Sequence, residues 1–247
     1  MNEQRVAVVT GASAGIGAET ARRLASEGFR VILGARRLER IEEIAATTGG
    51  VALPLDVRDA RSVQSFCEGI ESCDVLVNNA GRASGLQEVA ELEDERTVAM
   101  WETNVLGLLR VTRPLIPKLI ASGRGHIVNV GSTAGIEAYP GGAGYTMTKH
   151  AVRVLTRTLR LELLGKPVRV TEVAPGLVKT EFSLVRFDGD EEAAERPYRG
   201  MTPLTAEDVA DCIAWAVTRP PHVNIDEIIV RPLAQASSTL IARDQDD

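Results

Sequence analysis

Cysteine and histidine are scarce in this sequence of 247 residues. The three cysteines, Cys67, Cys73 and Cys212, form an odd and widely spaced set, which excludes a disulfide framework and indicates reduced thiols. The three histidines are equally scattered, and no cluster of histidine, cysteine and carboxylate residues has the spacing of metal ligands. We therefore expect no metal site, and we interpret each histidine as structural or solvated.

An excess of basic residues and a long apolar run are also missing. The formal net charge is −6, whereas a general nucleic-acid binder needs basic surface to neutralise phosphates. No window approaches 18 consecutive apolar residues, and no basic stretch leads into an apolar one as in a signal peptide. We expect a cytoplasmic protein that has neither nucleic acid nor a membrane as its partner.

Strand-like apolar runs alternate with helical patterns along the chain. The predicted strands are Val6–Thr10, Phe29–Gly34, Val51–Leu55, Asp74–Val77, His126–Val130, Val168–Val173 and Glu227–Val230. The predicted helices are Ala18–Glu27, Leu38–Ala46, Arg58–Ile70, Thr97–Ile120, Tyr145–Leu164 and Ala206–Val217. Pro114 and Pro117 are expected to kink or divide the fourth helix. The alternation predicts an α/β fold, a doubly wound parallel sheet of about seven strands with helices on both faces, and a single domain over residues 1–247.

The segment 179–202 departs from this alternation. It is charged, and it contains the aromatic residues Phe182, Phe187 and Tyr198. Long segments of this composition between regular elements are often binding loops. We therefore predict that residues 179–202 form a substrate-binding loop or lid.

A glycine-rich turn follows the first predicted strand. Gly11, Gly15 and Gly17 have the spacing GxxxGxG rather than GxGxxG, but either spacing suits a tight turn whose backbone approaches a pyrophosphate at a helix N-terminus. A turn without a ligand is the alternative, and the position after the first strand counts against it. The candidate cofactor-binding residues of this turn are Gly11, Ser13, Ala14, Gly15, Ile16 and Gly17.

Two arginines follow the second predicted strand. At this place an NAD site usually has an acidic residue that holds the ribose 2′-hydroxyl. This chain has Ala35 and then Arg36 and Arg37, whose guanidinium groups suit a 2′-phosphate. The alternative is that the two arginines only begin a solvated helix. The pattern favours NADP as the cofactor.

A tyrosine and a lysine lie four residues apart at the start of a predicted helix. Tyr145 and Lys149 therefore share one helix face, where the ammonium is expected to lower the tyrosine pKa toward the working pH. Alone, this spacing occurs by chance on many helices. Ser132, however, follows the fifth predicted strand, and ligands of parallel sheets bind beyond the carboxyl ends of strands. The three residues are our candidates for an acid/base site.

Together these motifs resemble the short-chain dehydrogenase/reductase family, which has a Rossmann fold. The resemblance extends from Val6 to about Pro232. The matching elements are Thr10–Gly17, Asp56, Asn78–Gly81, Asn104, Ser132, Tyr145 with Lys149, and Pro175–Gly176. The resemblance implies hydride transfer with a nicotinamide cofactor.

The resemblance also implies a role for each residue. Tyr145 would be the acid/base, Lys149 would lower its pKa and bind the nicotinamide ribose, and Ser132 would bond the substrate oxygen. Asn104, inside the long helix, would hold a water that relays protons. For Asn104 and Asp56 the alternative is that each only caps backbone groups. The other implied cofactor contacts are Asp56, Val57, Asn79, Ala80, Gly81, Pro175, Gly176, Val178 and Thr180.

The second half is more specifically similar to bacterial NADP-dependent 3-hydroxy acid dehydrogenases, also described as serine or allo-threonine dehydrogenases. Tyr139–Gly142, Val185–Phe187 and Leu204–Val209 are among the stretches that carry this similarity. It implies oxidation of a small 3-hydroxy acid, or reduction of the matching 3-oxo acid. A carboxylate needs a cation, for which Arg186 is the first candidate and Arg82 the second. The alternative for both is a surface or subunit-contact arginine.

Two other functions stay open at this point. A reductase of bulkier ketones or aldehydes would use the same catalytic residues. A regulatory protein that binds NADP without turnover would not need an intact Ser132, Tyr145 and Lys149. The resemblance further implies a homotetramer or homodimer, assembled through the long helices that carry Asn104 and Tyr145 and through the apolar run Ile225–Leu233.

Overall fold

The computed structural model describes residues 4–244, so residues 1–3 and 245–247 of the predicted domain lie outside the described part. The strands are β1 Val6–Thr10, β2 Arg30–Ala35, β3 Val51–Pro54, β4 Val75–Asn78, β5 Gly125–Val130, β6 Val168–Pro175 and β7 Glu227–Val230. The helices are α1 Gly15–Ser26, α2 Leu38–Thr48, α3 Ala60–Glu68, α4 Asp94–Trp101, α5 Gly107–Ala121, α6 Ala143–Glu162, α7 Glu181–Arg186, α8 Glu191–Glu195 and α9 Ala206–Val217. Over residues 4–244, no helix is long and apolar enough to cross a membrane.

The seven strands form one parallel sheet in the order β3-β2-β1-β4-β5-β6-β7. Its central strands are buried along their whole length because helices cover both faces. On one face α1, α2 and α9 contribute residues such as Leu24, Ile41 and Ile213 to the core. On the other face α3 and α5 contribute Phe66 and Leu115. The predicted doubly wound, single-domain Rossmann fold is confirmed.

The strand order reverses at β1, which pairs with β2 on one side and with β4 on the other. The connections that follow β1 and β4 therefore run in opposite directions from the carboxyl edge of the sheet. A crevice opens between these two loops. In open parallel sheets ligands bind at such a switch point. The fold thus places the glycine-rich turn after β1 and the loop after β4 on the two sides of one crevice.

The long helix predicted over Thr97–Ile120 is interrupted, but not at its prolines. A π-helical turn over Glu102–Leu106 separates α4 from α5, and α5 continues through Pro114 and Pro117. Both prolines lie on the exposed face of α5, where water can satisfy the carbonyl groups that lose a helical partner. The expectation that the prolines divide the helix is wrong.

The segment 179–202 contains the short helices α7 and α8, and it packs close to the end of the chain. The Tyr198 hydroxyl donates to the carbonyl of Val178 at 2.9 Å. Arg243 donates to the carbonyl of Pro197 at 3.1 Å, and the Asp244 amide donates to the carbonyl of Gly200 at 2.9 Å. The polar tail, for which the sequence predicts no structure, is therefore attached to this segment.

Candidate active site

A cavity of about 820 Å³ opens at the carboxyl edge of the sheet, and its volume is typical of small-molecule sites. The predicted residues that line it are Gly11, Ser13, Ala14, Gly15, Ile16, Arg36, Arg37, Asp56, Val57, Asn79, Ala80, Gly81, Ser132, Tyr145, Pro175, Gly176, Val178, Thr180 and Arg186. Gly17, Asn104 and Lys149 are packed behind these lining residues. In the described part of the chain, no group of three or more His, Cys, Asp and Glu side chains could hold a metal ion.

The glycine-rich turn is fastened to the loop after β4. Gly11 has a φ of 65°, and a Cβ atom at this position would lie 2.8 Å from the Cα of Ala80. Asn79 donates from Nδ2 to the carbonyls of Thr10 and Gly11 at 3.0 and 3.2 Å. The first turn of α1 begins at Gly15 and lines the cavity. Unpaired amides and the helix dipole make such a turn suitable for a negatively charged group.

Arg36 and Arg37 reach the same cavity from the end of β2. Arg37 donates from Nε to the Ser13 hydroxyl at 3.1 Å and forms an ion pair of 2.8 Å with Glu181. Arg40 binds the other oxygen of Glu181 at 2.7 Å. The two arginines hold the pKa of Glu181 below its ordinary value through their hydrogen bonds. Glu181 is the first residue of α7, so it connects the two arginines to that helix. No pattern in the sequence indicates this contact.

The three predicted catalytic residues come together at the other end of the cavity. Ser132 follows β5 and accepts a hydrogen bond from the Ala134 amide at 3.1 Å, which fixes its side chain at the strand end. Its hydroxyl faces the Tyr145 phenol and acts to lower the pKa of that group. Lys149 donates from Nζ to the carbonyl of Val130 at 2.8 Å and lies 5.8 Å from the centroid of the Tyr145 ring.

The predicted fall in the Tyr145 pKa is not what this environment produces. Burial raises the pKa of Tyr145 above its ordinary value and the neighbouring Tyr139 raises it further, whereas Ser132 and the charge of Arg186 lower it. Lys149 is not among the groups that lower the pKa of Tyr145. Its ammonium is buried as well, and this burial lowers the pKa of Lys149 to about 8. The correction follows from desolvation, which disfavours both charged forms.

Asn104 lies in the π-helical turn rather than inside a continuous helix. Its Nδ2 donates to the carbonyl of Arg82 at 2.8 Å and to the Thr148 hydroxyl at 2.9 Å. Its Oδ1 accepts from the Arg82 amide at 2.8 Å. π-helical turns frequently occur at functional sites. Here the turn directs one amide side chain to both the loop after β4 and the helix that carries Tyr145 and Lys149.

Arg186, at the end of α7, extends over the ring of Tyr145. Its guanidinium carbon lies 5.7 Å from the centroid of the Tyr145 ring. Nε donates to the carbonyl of Gly85 at 3.0 Å, and Nη2 donates to the Tyr139 hydroxyl at 3.2 Å. These bonds hold a positive charge above the Tyr145 phenol. The arrangement is suited to an anionic group on whatever molecule contacts Tyr145.

The end of the chain also contributes to the cavity, which the sequence analysis missed. Gln235 accepts a hydrogen bond from the Leu177 amide at 2.9 Å. The Ser238 amide donates to Glu137 at 2.7 Å, and Arg231 donates to the same carboxylate at 2.7 Å. Ser238 is among the residues that line the cavity. The polar tail has no periodic pattern that could reveal this placement, which depends on the position of β7 at the sheet edge.

The sheet order, the cavity at its switch point and the grouped Ser132, Tyr145 and Lys149 define a dinucleotide-binding oxidoreductase. The chain belongs to the short-chain dehydrogenase family, whose model matches residues 5–190. It is therefore an oxidoreductase of that family.

Two relatives and one solved structure are similar over nearly the whole chain. An uncharacterized oxidoreductase of Mycobacterium tuberculosis is 59% identical over 236 residues, which cover 96% of this chain and 94% of that protein. The NADP-dependent 3-hydroxy acid dehydrogenase of Schizosaccharomyces pombe is 41% identical over 249 residues, which cover 96% of each chain. The closed form of serine dehydrogenase complexed with NADP+ superposes with a TM-score of 0.91 at 39% identity, covering 97% of this chain and 100% of that chain.

Proposed function

We propose that this protein is an NADP-dependent dehydrogenase of small 3-hydroxy acids, with serine and allo-threonine as the first substrates to test. The observation that carries the proposal is the Arg186 guanidinium, 5.7 Å from the centroid of the Tyr145 ring. A substrate hydroxyl that bonds Tyr145 would bring a nearby carboxylate within reach of this charge. The names of the fission-yeast relative and of the serine dehydrogenase structure support the same activity.

The cavity has the features that NADP requires. The first turn of α1 and the close contact of Gly11 with Ala80 leave backbone, rather than side chain, available to a pyrophosphate. Arg36 and Arg37 would hold the 2′-phosphate, because no acidic residue directly follows β2 and two guanidiniums do. We propose that Asp56 and Val57 line the adenine part, and that Asn79, Gly81 and Lys149 face the riboses. Pro175, Gly176, Val178 and Thr180 would line the nicotinamide.

The residues of this chain would supply the proton chemistry. A bound nicotinamide cofactor supplies the hydride donor or acceptor. In the oxidation direction the Tyr145 phenolate takes the proton of the substrate hydroxyl as the carbonyl forms, and in reduction the phenol returns that proton to the oxygen. Ser132 holds the same oxygen by a hydrogen bond. Lys149 supplies the positive charge behind Tyr145, and Asn104 positions the turn between Arg82 and Thr148.

A panel of substrates tests the proposal directly. Purified protein is assayed with NADP and with NAD against serine, allo-threonine, 3-hydroxyisobutyrate, 3-hydroxypropionate and several neutral alcohols, following reduced nicotinamide absorbance. Turnover of the hydroxy acids with NADP is the expected result. Activity restricted to neutral or bulky alcohols would replace the proposal by its rival, a carbonyl reductase of larger ketones or aldehydes.

Arg186→Gln is expected to raise the KM for the hydroxy acid by about 30-fold, because the variant loses a charge-assisted hydrogen bond to the carboxylate. The KM for a neutral alcohol should stay within about twofold. Loss of Arg186 also removes a charge that lowers the Tyr145 pKa, but that effect is common to acids and alcohols. Comparing the two KM values therefore isolates carboxylate binding.

The matched variant for this experiment is Arg82→Gln, at the second predicted carboxylate ligand. Arg82 lines the cavity as Arg186 does, so a general change in cavity charge would affect both variants alike. A larger KM increase in Arg82→Gln than in Arg186→Gln would transfer the carboxylate site to Arg82. Equal losses for acids and neutral alcohols in Arg186→Gln would contradict carboxylate recognition by that residue.

We also propose that residues 179–202 act as the lid over this cavity. Phe182 packs against Tyr145 with a centroid distance of 5.8 Å, and Arg186 lies above the same ring. Both belong to α7, so a movement of that helix would open or cover the reactive phenol. The ion pairs of Glu181 with Arg37 and Arg40 would connect such a movement to the cofactor site.

The proposed assembly is a homodimer or homotetramer that pairs the α6 helices. Met147, Val154 and Leu161 recur every seven residues on the outer face of α6, and Val154 and Leu161 are 63% and 76% exposed. The exposed Ile229, in the edge strand β7 within the run Ile225–Leu233, suits the second interface of a tetramer. The cytoplasmic location stays a prediction from the sequence.

The double variant Val154→Asp/Leu161→Asp is expected to be a monomer in sedimentation velocity, because two buried carboxylates would oppose pairing. Val89→Asp is the control, since Val89 is 77% exposed but lies outside α6. An unchanged sedimentation coefficient in the double variant, relative to the unmodified protein and the control, would contradict the α6 interface.

A further inference from the structure

A row of polar side chains crosses the middle of the sheet beneath α6. Asn78, Asn129, Glu172 and Glu227 are register partners on β4, β5, β6 and β7, so their side chains point to the same face. Asn78 donates to Asn129 at 2.9 Å. The row is buried at three of its four members, and Glu227 alone is partly exposed.

Three members of this row are held by hydrogen bonds to the helices above them. Asn78 donates to Thr112 of α5 at 2.9 Å, and Asn129 donates to Thr156 of α6 at 2.8 Å. Glu227 forms a bidentate ion pair with Arg153 of α6, in which Nη2 donates to Oε2 at 2.8 Å. The polar row is therefore attached to the same helix that carries Tyr145 and Lys149.

Glu172 is the exception. It is 2% exposed, and its buried Oε1 has no hydrogen-bond partner within the described residues. The carboxyl group is pressed against the backbone at the end of β5, where a side chain on Gly131 would overlap Oε1. Gly131 lies between Val130, whose carbonyl accepts from Lys149, and Ser132. A buried carboxyl group whose Oε1 lacks a partner within the described residues thus lies against the backbone between Val130 and Ser132.

Lys149 is a buried cation whose hydrogen-bond acceptor carries no charge. It is 6% exposed, and the hydrogen bond that the structure gives its ammonium goes to the neutral carbonyl of Val130. Buried charges are costly unless an opposite charge is near. Burial raises the pKa of Glu172 and the neighbouring Glu227 raises it further, whereas Arg153, Lys149 and Arg157 lower it. Of these three cations, Arg153 is ion-paired with Glu227, and Lys149 is the buried one. Glu172 is in turn the one charged group that raises the pKa of Lys149.

We propose that Glu172 is a positioning residue for catalysis, the buried counter-charge that holds the Lys149 ammonium in its protonated form beneath Tyr145. The inference rests on the role proposed above for Lys149. Glu172 is not among the residues that line the cavity, and it acts through the lysine. The side chains of Asn78, Asn129 and Glu227 attach the neighbouring strands to α5 and α6.

The direct test is a pH titration of Lys149 by NMR with 13C-labelled lysine, which needs no substrate. The sequence contains four lysines, so the Lys149 signal can be assigned by its loss in Lys149→Arg. Burial lowers the pKa of Lys149 to about 8 in the unmodified protein. In Glu172→Gln the midpoint is expected to fall by about one further pH unit, because a negative charge near the ammonium is lost.

Three further variants keep the test decisive. Glu172→Asp retains the charge, and Glu227→Gln removes a charge from the same row, so both midpoints should stay within about 0.3 units of the original. Gly131→Ala should displace the Glu172 carboxyl and lower the midpoint in the same direction as Glu172→Gln, which provides an answer if Glu172→Gln does not fold. An unchanged midpoint in Glu172→Gln, or in Gly131→Ala when the first variant is unfolded, overturns the proposal.

Activity gives a second, independent measurement with any substrate that the panel identifies. A midpoint that falls from about 8 by one unit lowers the protonated fraction of Lys149 about threefold at pH 7.5 and hardly at all at pH 6. The kcat of Glu172→Gln should show the same pH-dependent loss. A loss of equal size at both pH values would indicate a purely structural residue and contradict the inference, whereas failure of the hydroxy-acid panel would leave the NMR result unaffected.

Discussion

Replacing Tyr145 by phenylalanine is expected to lower kcat by about 10³-fold in both directions, because the variant loses the hydroxyl that we propose exchanges a proton with the substrate oxygen. The ring and its packing against Phe182 are preserved, so the fold should not change. Dissociation constants for NADPH, measured by fluorescence titration, should stay within about threefold. Stopped-flow or steady-state absorbance of reduced nicotinamide measures the loss of turnover.

The matched control is Tyr139→Phe, which removes a phenol from the same cavity wall. The Tyr139 hydroxyl accepts a hydrogen bond from Arg186, and Tyr139 raises the pKa of Tyr145. Its removal should therefore change kcat less than about tenfold. If Tyr145→Phe retained more than a tenth of the activity while Tyr139→Phe lost it, the acid/base would have to be reassigned to Tyr139.

The upward shift of the Tyr145 pKa also determines how the rates of oxidation and reduction depend on pH. Because burial raises this pKa, the phenol stays protonated at neutral pH and the phenolate population grows as the pH rises. Reduction, which needs the phenol, should be retained at neutral and lower pH. Oxidation, which needs the phenolate, should increase as the pH rises. The opposite pair of profiles would mean that the bound cofactor or Lys149 lowers the Tyr145 pKa below neutrality.

The second large effect concerns the choice of cofactor. The double variant Arg36→Ala/Arg37→Ala is expected to weaken NADPH binding by about 100-fold, since two charge-assisted contacts to the 2′-phosphate are lost. NADH has no such phosphate, so its dissociation constant should change by less than about threefold. Calorimetric titration of both cofactors gives the ratio that expresses this preference.

Arg40→Ala is the control for the arginine variants. Arg40 binds the same carboxylate as Arg37, that of Glu181, but it does not line the cavity. Its loss should therefore leave the NADPH affinity nearly unchanged. Equal weakening of NADPH and NADH in the double variant would mean that the arginines support the glycine-rich turn through Ser13 rather than recognise the phosphate.

The positions of the strands and of the motifs at their ends could be predicted from the sequence. Apolar runs of β-branched residues such as Val6–Thr10 and Glu227–Val230 have the predicted bounds, and the helix that carries Tyr145 and Lys149 begins two residues before its predicted start. Parallel strands bring their carboxyl ends to one sheet edge. For that reason motifs far apart in the chain, such as Gly11 and Ser132, could be expected in one cavity.

The interruption of the long helix could not be predicted in the same way. Its prolines are the strongest local signal, yet α5 continues through both, because they lie on the exposed face where water can satisfy the carbonyls of Arg110 and Arg113 that lose a helical partner. The π-helical turn around Asn104 has no equivalent signal. It is held by hydrogen bonds to Arg82 and Thr148, which lie 22 and 44 residues away in the chain. Contacts of this kind exist only once the sheet and α6 are assembled.

The sequence by itself thus determined the doubly wound sheet, the glycine-rich turn and the grouping of Ser132, Tyr145 and Lys149, because each depends on local periodicity or on the shared edge of parallel strands. Tertiary structure decided the rest. The burial that raises the Tyr145 pKa and leaves Glu172 beneath Lys149, and the ion pairs of Glu181 with Arg37 and Arg40, all arise where separate elements pack together. Desolvation and charge pairing depend on that packing, which no single segment of the sequence encodes.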